Sequence, residues 1–228
     1  MSAGALFPGF TSGIANANGI QIPYVMAGSG PPLLLLHGHP QTHVIWHKVA
    51  PALAQDFTVI ASDLRGYGAA SKPAGLADHS NYSKREMARD QVALMQGLGC
   101  ERFSLVGHDR GGRVGHRLAL DHPQSVDKMM LLDISPTLAM YQQTTMEFAR
   151  AYWHWFFLIQ PAPLPDLIAQ LAPSAPQFTP PVALRPATIA SPSAPCHWER
   201  SGTSSMPSGR TCGCSALACS TATRASRS

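Results

Sequence analysis

The sequence predicts an α/β fold: a mostly parallel sheet with flanking helices, incomplete, followed by the start of a helical cap. Three observations predict it. Short, wholly apolar runs recur along the first 136 residues, as buried strands require. Between them lie segments with helix start and stop signals, so strands and helices alternate, which implies parallel strands joined by right-handed crossovers. After Pro136 the pattern gives way to a stretch rich in aromatics and broken by prolines.

The elements follow in order. Ile14 to Met26 reads as an antiparallel pair turning at Asn18-Gly19, a type I′ signal. Leu33 to Leu36 is a buried central strand, and Trp46 to Leu53 a helix capped or kinked by Pro51. Phe57 to Ala61 is rich in β-formers and runs into the loop Asp63-Leu64-Arg65-Gly66-Tyr67-Gly68. Ser83-Lys84-Arg85-Glu86 is a capping box. It opens a helix that turns Ala88, Val92, Met95 and Leu98 inward and ends near Gly99. Phe103 to Val106 is a strand and Gly112 to Asp121 a helix, with Pro123 as a stop. Met129-Met130-Leu131-Leu132 is expected as another buried strand, ending at Asp133. The expected organisation is a core over 1–136, the start of a cap over 137–170, and a disordered, non-native tail over 171–228.

Charge sets the tail apart. Residues 1–170 carry 12 Lys+Arg and 12 Asp+Glu, whereas 171–228 carry five Arg and one Glu, so the whole +4 lies in the tail. The tail also holds four of the five cysteines and shows no sustained helical or strand period. Ser-, Pro- and Ala-rich composition cannot offset the entropy of ordering. Its arginines are scattered, unlike a nucleic-acid arm. Cys196, Cys212, Cys214 and Cys219 with His197 lack the paired spacing of a zinc module. Residues 1–20 contain no basic segment leading into an apolar run. The expectations are therefore a cytoplasmic protein with no metal, no cofactor, no membrane and no nucleic acid. The abrupt shift near 170 is read as an out-of-frame or otherwise missing C-terminal part.

Candidate chemistry centres on Gly107-His108-Asp109-Arg110-Gly111-Gly112-Arg113. The spacing Gly-x-Asp-x-Gly is that of a nucleophile elbow with aspartate in place of serine. A carboxylate needs no base to attack an electrophilic carbon, but the resulting ester must then be cleaved by water. That chemistry suits a carbon bearing a halogen, or an epoxide. The N-terminus of the following helix favours the ionised carboxylate. The competing reading of Asp109 is a simple helix cap. Backbone N–H groups of Arg110 and His39 are candidates for the oxyanion hole, with Gly38 permitting close approach. His37 reads as a structural histidine. Arg110 and Arg113 suit a clamp for a substrate carboxylate, the alternative being plain salt bridging. Asp133 ends the strand beside the nucleophile strand and is expected to orient a water-activating histidine. His154 and Trp155 could donate to a departing halide, or simply pack within the cap.

Together with Asp63–Gly68, Tyr82-Ser83-Lys84-Arg85, Leu132-Asp133-Ile134 and Tyr152–Pro161, these segments resemble the fluoroacetate and haloacetate dehalogenases of the α/β-hydrolase superfamily. The resemblance runs from about 15 to 170. It implies an incomplete α/β-hydrolase fold, Asp109 as nucleophile, Asp133 as the acid partner of a histidine, Arg110 and Arg113 on the substrate carboxylate, and His154 and Trp155 at the halide. Arginine directly after the nucleophile separates this group from haloalkane dehalogenases and epoxide hydrolases, where tryptophan is common. The family usually carries phenylalanine where this chain has His39. It also delivers its histidine, and a halide-binding tyrosine, from later segments. Beyond His154 this sequence offers only His197, which follows no strand pattern. The expected activity is hydrolytic dehalogenation of a short haloacid, haloacetate to glycolate plus halide, with ester hydrolysis stalled. The alternatives are an epoxide hydrolase, or an inactive remnant that binds without turnover. A homodimer through the cap is a further option that no sequence signal supports.

Overall fold

The computed structural model describes residues 6–161, 163–165 and 167. The tail expected over 171–228, with His197 and its four cysteines, lies outside them.

Among the described residues six strands form one sheet: β1 (Thr11–Ala17), β2 (Ile20–Ala27), β3 (Pro32–Leu36), β4 (Thr58–Ser62), β5 (Phe103–His108) and β6 (Val126–Leu132), in the order β1-β2-β4-β3-β5-β6. β3 through β6 are mutually parallel, and the β1–β2 hairpin is antiparallel. Asn18 and Gly19 both have positive φ, as a type I′ turn demands, so the hairpin forms where the sequence predicts it.

The helices are α1 (Ala50–Leu53), α2 (Lys84–Gly97), α3 (Arg110–Asp121), α4 (Thr137–Gln142), α5 (Met146–Ala151) and α6 (Trp153–Leu158). The helix expected over Trp46 to Leu53 divides into a 3-10 turn at His43–Trp46 and the short α1. Pro51 sits in the first turn of α1, where its missing N–H costs nothing, and cannot continue a helix from upstream. Half of the predicted capping box forms at α2. The Ser83 hydroxyl accepts from the Glu86 N–H at 3.1 Å, while the Glu86 carboxylate turns to Asn18 and Arg65. Gly99, at φ +77, closes α2: the Cys100 N–H reaches Met95 O at 2.8 Å in a Schellman arrangement.

Two apolar clusters flank the sheet. Leu34, Leu36 and Ile60 face α2 and α3, and Leu33, Leu35 and Val59 face Phe7, Trp46 and α1. This alternation buries β3 on both faces, as its unbroken leucine run requires. The similar run in β6 meets a different fate. Met129, Met130 and Leu132 are exposed, Met130 by 58%, contrary to the expectation of a buried strand. β6 is the last described strand of the sheet, so residue type alone does not bury it. Among the described residues no helix is long and apolar enough to cross a membrane.

Candidate active site

Every candidate residue on the sheet lies at the C-terminal ends of β3, β5 and β6. β5 passes into α3 through Asp109, whose backbone (φ 46°, ψ −112°) occupies a region non-glycine residues rarely adopt. Close packing enforces the turn: a Cβ on Gly107 would lie 2.6 Å from Gly111 O and 2.7 Å from Gly112 Cα. α3 begins at Arg110, two residues earlier than predicted, so the elbow runs directly into the helix. The Asp109 side chain makes no capping hydrogen bond to α3, which removes the capping alternative. Its Oδ2 instead accepts from the His39 N–H at 3.1 Å. Gly38 makes that approach feasible, since a Cβ there would stand 2.7 Å from Asp109 Cβ.

A buried network fixes the loop after β3. His37 donates from Nδ1 to Gly38 O at 2.8 Å and accepts at Nε2 from the Leu64 N–H at 3.0 Å. Burial lowers its pKa to about 4, so both ring nitrogens keep these roles at neutral pH. Asp63 accepts from the His43 N–H, pairs with the His43 ring at 2.8 Å, and accepts from the Ala69 N–H at 3.1 Å. The loop from Asp63 to Gly68 thus braces the loop that carries His39.

Arg113 lies one turn along α3. One guanidinium nitrogen donates to Thr137 Oγ1, another lies 3.4 Å from Met140 Sδ, and the group sits 4.0 Å above the Trp155 ring. Burial pulls its pKa down to about 10, which leaves it cationic at neutral pH. The Arg110 guanidinium lies over the Tyr67 ring, 5.9 Å from its centroid. Asp133 follows β6 at φ 54, and the Asp109 N–H donates to Leu132 O at 3.1 Å, so the two aspartates end adjacent strands. The Asp133 carboxylate is 88% exposed and stands 3.9 Å from His108 Nε2. Trp155 packs against Tyr141 and Tyr152, whereas His154 is exposed beside Tyr152. The aromatics of α4 to α6 therefore pack on one another, while Trp155 also lies under the Arg113 guanidinium.

Two residues without a role in the sequence reading emerge. Tyr67 is buried between His37, His39 and Arg110. Lys84, at the first position of α2, has no hydrogen bond or ion pair among the described residues. Desolvation first, then Arg110 and Arg113, hold its ammonium well below the usual lysine range. It lines a cavity of about 320 Å³ with Arg113, His116, Leu131, Ile134 and Leu138. Tyr67 and Lys84 both lie in motifs that carry the resemblance, but a single tyrosine or lysine there gives no spacing signal. Among the described residues no group of His, Cys, Asp and Glu could hold a metal ion.

An aspartate at a strained strand-to-helix elbow, facing a backbone N–H from the loop after β3, belongs to hydrolases of the α/β class. The family model for the alpha/beta hydrolase fold matches residues 31–166, and the chain belongs to that family. Within it the chain is a relative of haloacid and epoxide hydrolases. It is 56% identical over 163 residues to a fluoroacetate dehalogenase of Burkholderia sp, covering 72% of this chain and 54% of that protein. It is 45% identical over 124 residues to a soluble epoxide hydrolase of Corynebacterium sp. (strain C12), covering 54% and 42%. Among solved structures, an alpha/beta hydrolase of Nostoc sp PCC 7120 superposes with a TM-score of 0.69 at 60% identity, over 72% of this chain and 56% of that one. The chain spans about half the length of the curated relatives it matches.

Proposed function

We propose that the site performs hydrolytic dehalogenation of a short 2-haloacid. An Asp109 carboxylate oxygen attacks the α-carbon, the carbon–halogen bond breaks, and its electron pair leaves with the halide. Water then cleaves the ester, giving the 2-hydroxy acid and a proton and restoring the carboxylate. Arg110 and Arg113 hold the substrate carboxylate, and His154 and Trp155 line the halide's exit. The N–H groups of His39 and Arg110 stabilise the oxyanion of the hydrolytic step. Asp133 orients the group that activates water. Residues 1–136 act as the core and 137–170 as the start of the cap.

The observation that supports this reading is the pair of arginines that follow Asp109 in the first turn of α3, one guanidinium lying over Tyr67 and the other stacked on Trp155. Two cations within one helical turn of a single carboxylate favour an anionic ligand and disfavour a neutral one. The test is chloroacetate or fluoroacetate incubated with the full chain, read by intact mass and halide release. An adduct on Asp109, or repeated halide release, each abolished by Asp109→Asn, supports the reading. Halide release that survives Asp109→Asn overturns it, as does the lack of both adduct and halide. The similarity to a soluble epoxide hydrolase supports a second reading, opening of a neutral epoxide by the same aspartate. Turnover of styrene oxide but not of haloacetates would favour it.

A further inference from the structure

The hydroxyl of Tyr67 is enclosed, and burial raises its pKa, so it remains a phenol with a proton to donate. A buried phenol needs an acceptor. The partner in reach is His39 Nδ1 at 3.4 Å, and among the described residues the hydroxyl has no other. If Tyr67 donates there, the neutral imidazole carries its own proton on Nε2. The opposite tautomer would strand the Tyr67 proton. His39 Nε2 has no protein partner among the described residues, yet it is not sealed off as a buried unpaired atom. The residue is half-buried, its backbone N–H is 3.1 Å from Asp109 Oδ2, and its ring meets the Tyr67 ring edge-on at 5.9 Å. Arg110 lies over that same Tyr67 ring. The charges acting most strongly on His39 are those of Arg110, Asp109 and His154, in that order. The imidazole thus lies within the field of the charged groups of the candidate site.

We propose that His39 is a third donor of the carboxylate receptor: its Nε2–H, held in that tautomer by Tyr67, hydrogen-bonds the ligand carboxylate beside Arg110. The proposal rests on the haloacid reading only in taking a carboxylate as ligand. A protonated Nε2 makes His39 a donor and not a water-activating base. It adds direction to a receptor otherwise built from two cations, because a neutral N–H rewards a correctly placed acceptor while contributing little long-range attraction. The carboxylate keeps its charge through the displacement, so this contact governs binding more than rate.

Acetate, an inert carboxylate, tests this on the full chain through tryptophan fluorescence and through imidazole ¹⁵N shifts. The expected result is a protonated His39 Nε2 at pH 7 whose resonance moves on acetate addition. Acetate should bind His39→Phe about 10-fold more weakly, as for a hydrogen bond to a charged group. His39→Gln, which keeps an N–H donor, should recover most of the affinity, and Tyr67→Phe should lose several-fold. An unprotonated Nε2 in the unsubstituted chain overturns the proposal without any variant. Equal acetate affinity in His39→Phe also overturns it, as does acetate that leaves the His39 resonance unmoved. The chloroacetate adduct reports separately: acetate binding that depends on His39 without an Asp109 adduct sinks the displacement reading and spares this one. An adduct with unaltered acetate affinity in His39→Phe does the reverse.

Discussion

The centre of the sheet and its β6 margin contain similar residues in opposite circumstances. Leu34, Leu35 and Leu36 are wholly buried, while Met129, Met130 and Leu132 of β6 stand exposed. Charge pairs repeat the contrast. Asp90 accepts from Arg65 Nε at 2.8 Å and Nη2 at 2.6 Å, fully enclosed, and also accepts from Asn18. Arg102 and Asp127, at the start of β6, pair in the open. The candidate site straddles the two regions. Asp109 and the His39 loop are braced by buried and part-buried hydrogen bonds, whereas Asp133, His154 and helices α4 to α6 are largely exposed. What differs is the number of neighbours that water has yielded to, and that sets how much any one residue matters.

The largest expected effect is at Asp90. Asp90→Ala leaves the enclosed Arg65 guanidinium with only the more distant Glu86 carboxylate, at 3.6 Å, and should cost about 3 kcal/mol, whereas Asp127→Ala should cost at most about 1 kcal/mol. Urea midpoints of the two variants check this, and equal losses would break the comparison. Next, Leu34→Ala should cost about 2–5 kcal/mol and Met130→Ala about 0.5 kcal/mol or less. A large loss at Met130 would mean that β6 is covered in solution.

A third effect is pH-dependent. The folded pKa of His37, about 4, lies below the ordinary 6.5, so the unfolded chain binds more protons between those values. Stability therefore falls as pH drops through that window, by about 2 kcal/mol between pH 7 and pH 5 from this residue alone. His37→Gln should flatten the slope, measured as urea stability at the two pH values. An unchanged slope would remove His37 as its source.

The smallest effect has the opposite sign. Lys84 places a partly buried ammonium, unpaired among the described residues, at a helix N-terminus, where a cation is unfavourable. Lys84→Met should stabilise by about 1 kcal/mol at pH 7. Because the folded pKa is depressed, the unfolded chain binds the extra proton below the usual lysine range. The parent chain should therefore gain stability as pH rises towards 10.5, and the variant should lose that gain. Destabilisation at pH 7 would show that the ammonium has a partner in solution.

The hairpin turn at Asn18-Gly19, the Ser83 cap, the Gly99 stop and the elbow around Asp109 were legible in the sequence because each depends on neighbours a few residues away. A positive φ, a capping hydroxyl and a glycine against a helix backbone are local demands with local signatures. The division of the Trp46–Leu53 segment was less legible, since Pro51 serves either to start a helix or to kink one. Tyr67 could not be found at all. Its contact with His39 crosses 28 residues and exists only because β3 and β4 lie side by side.

By itself, then, the sequence determined the order of strands and helices, the aspartate at the elbow, and the arginines one residue and one turn beyond it. Those follow from backbone preference and helical spacing, which act within a few residues. The tertiary structure alone decided which apolar strand is buried and which is not, that Arg113 turns onto Trp155, and that Tyr67 meets His39. Burial and hydrogen-bond partnership depend on distant segments meeting, and no local pattern records which ones will.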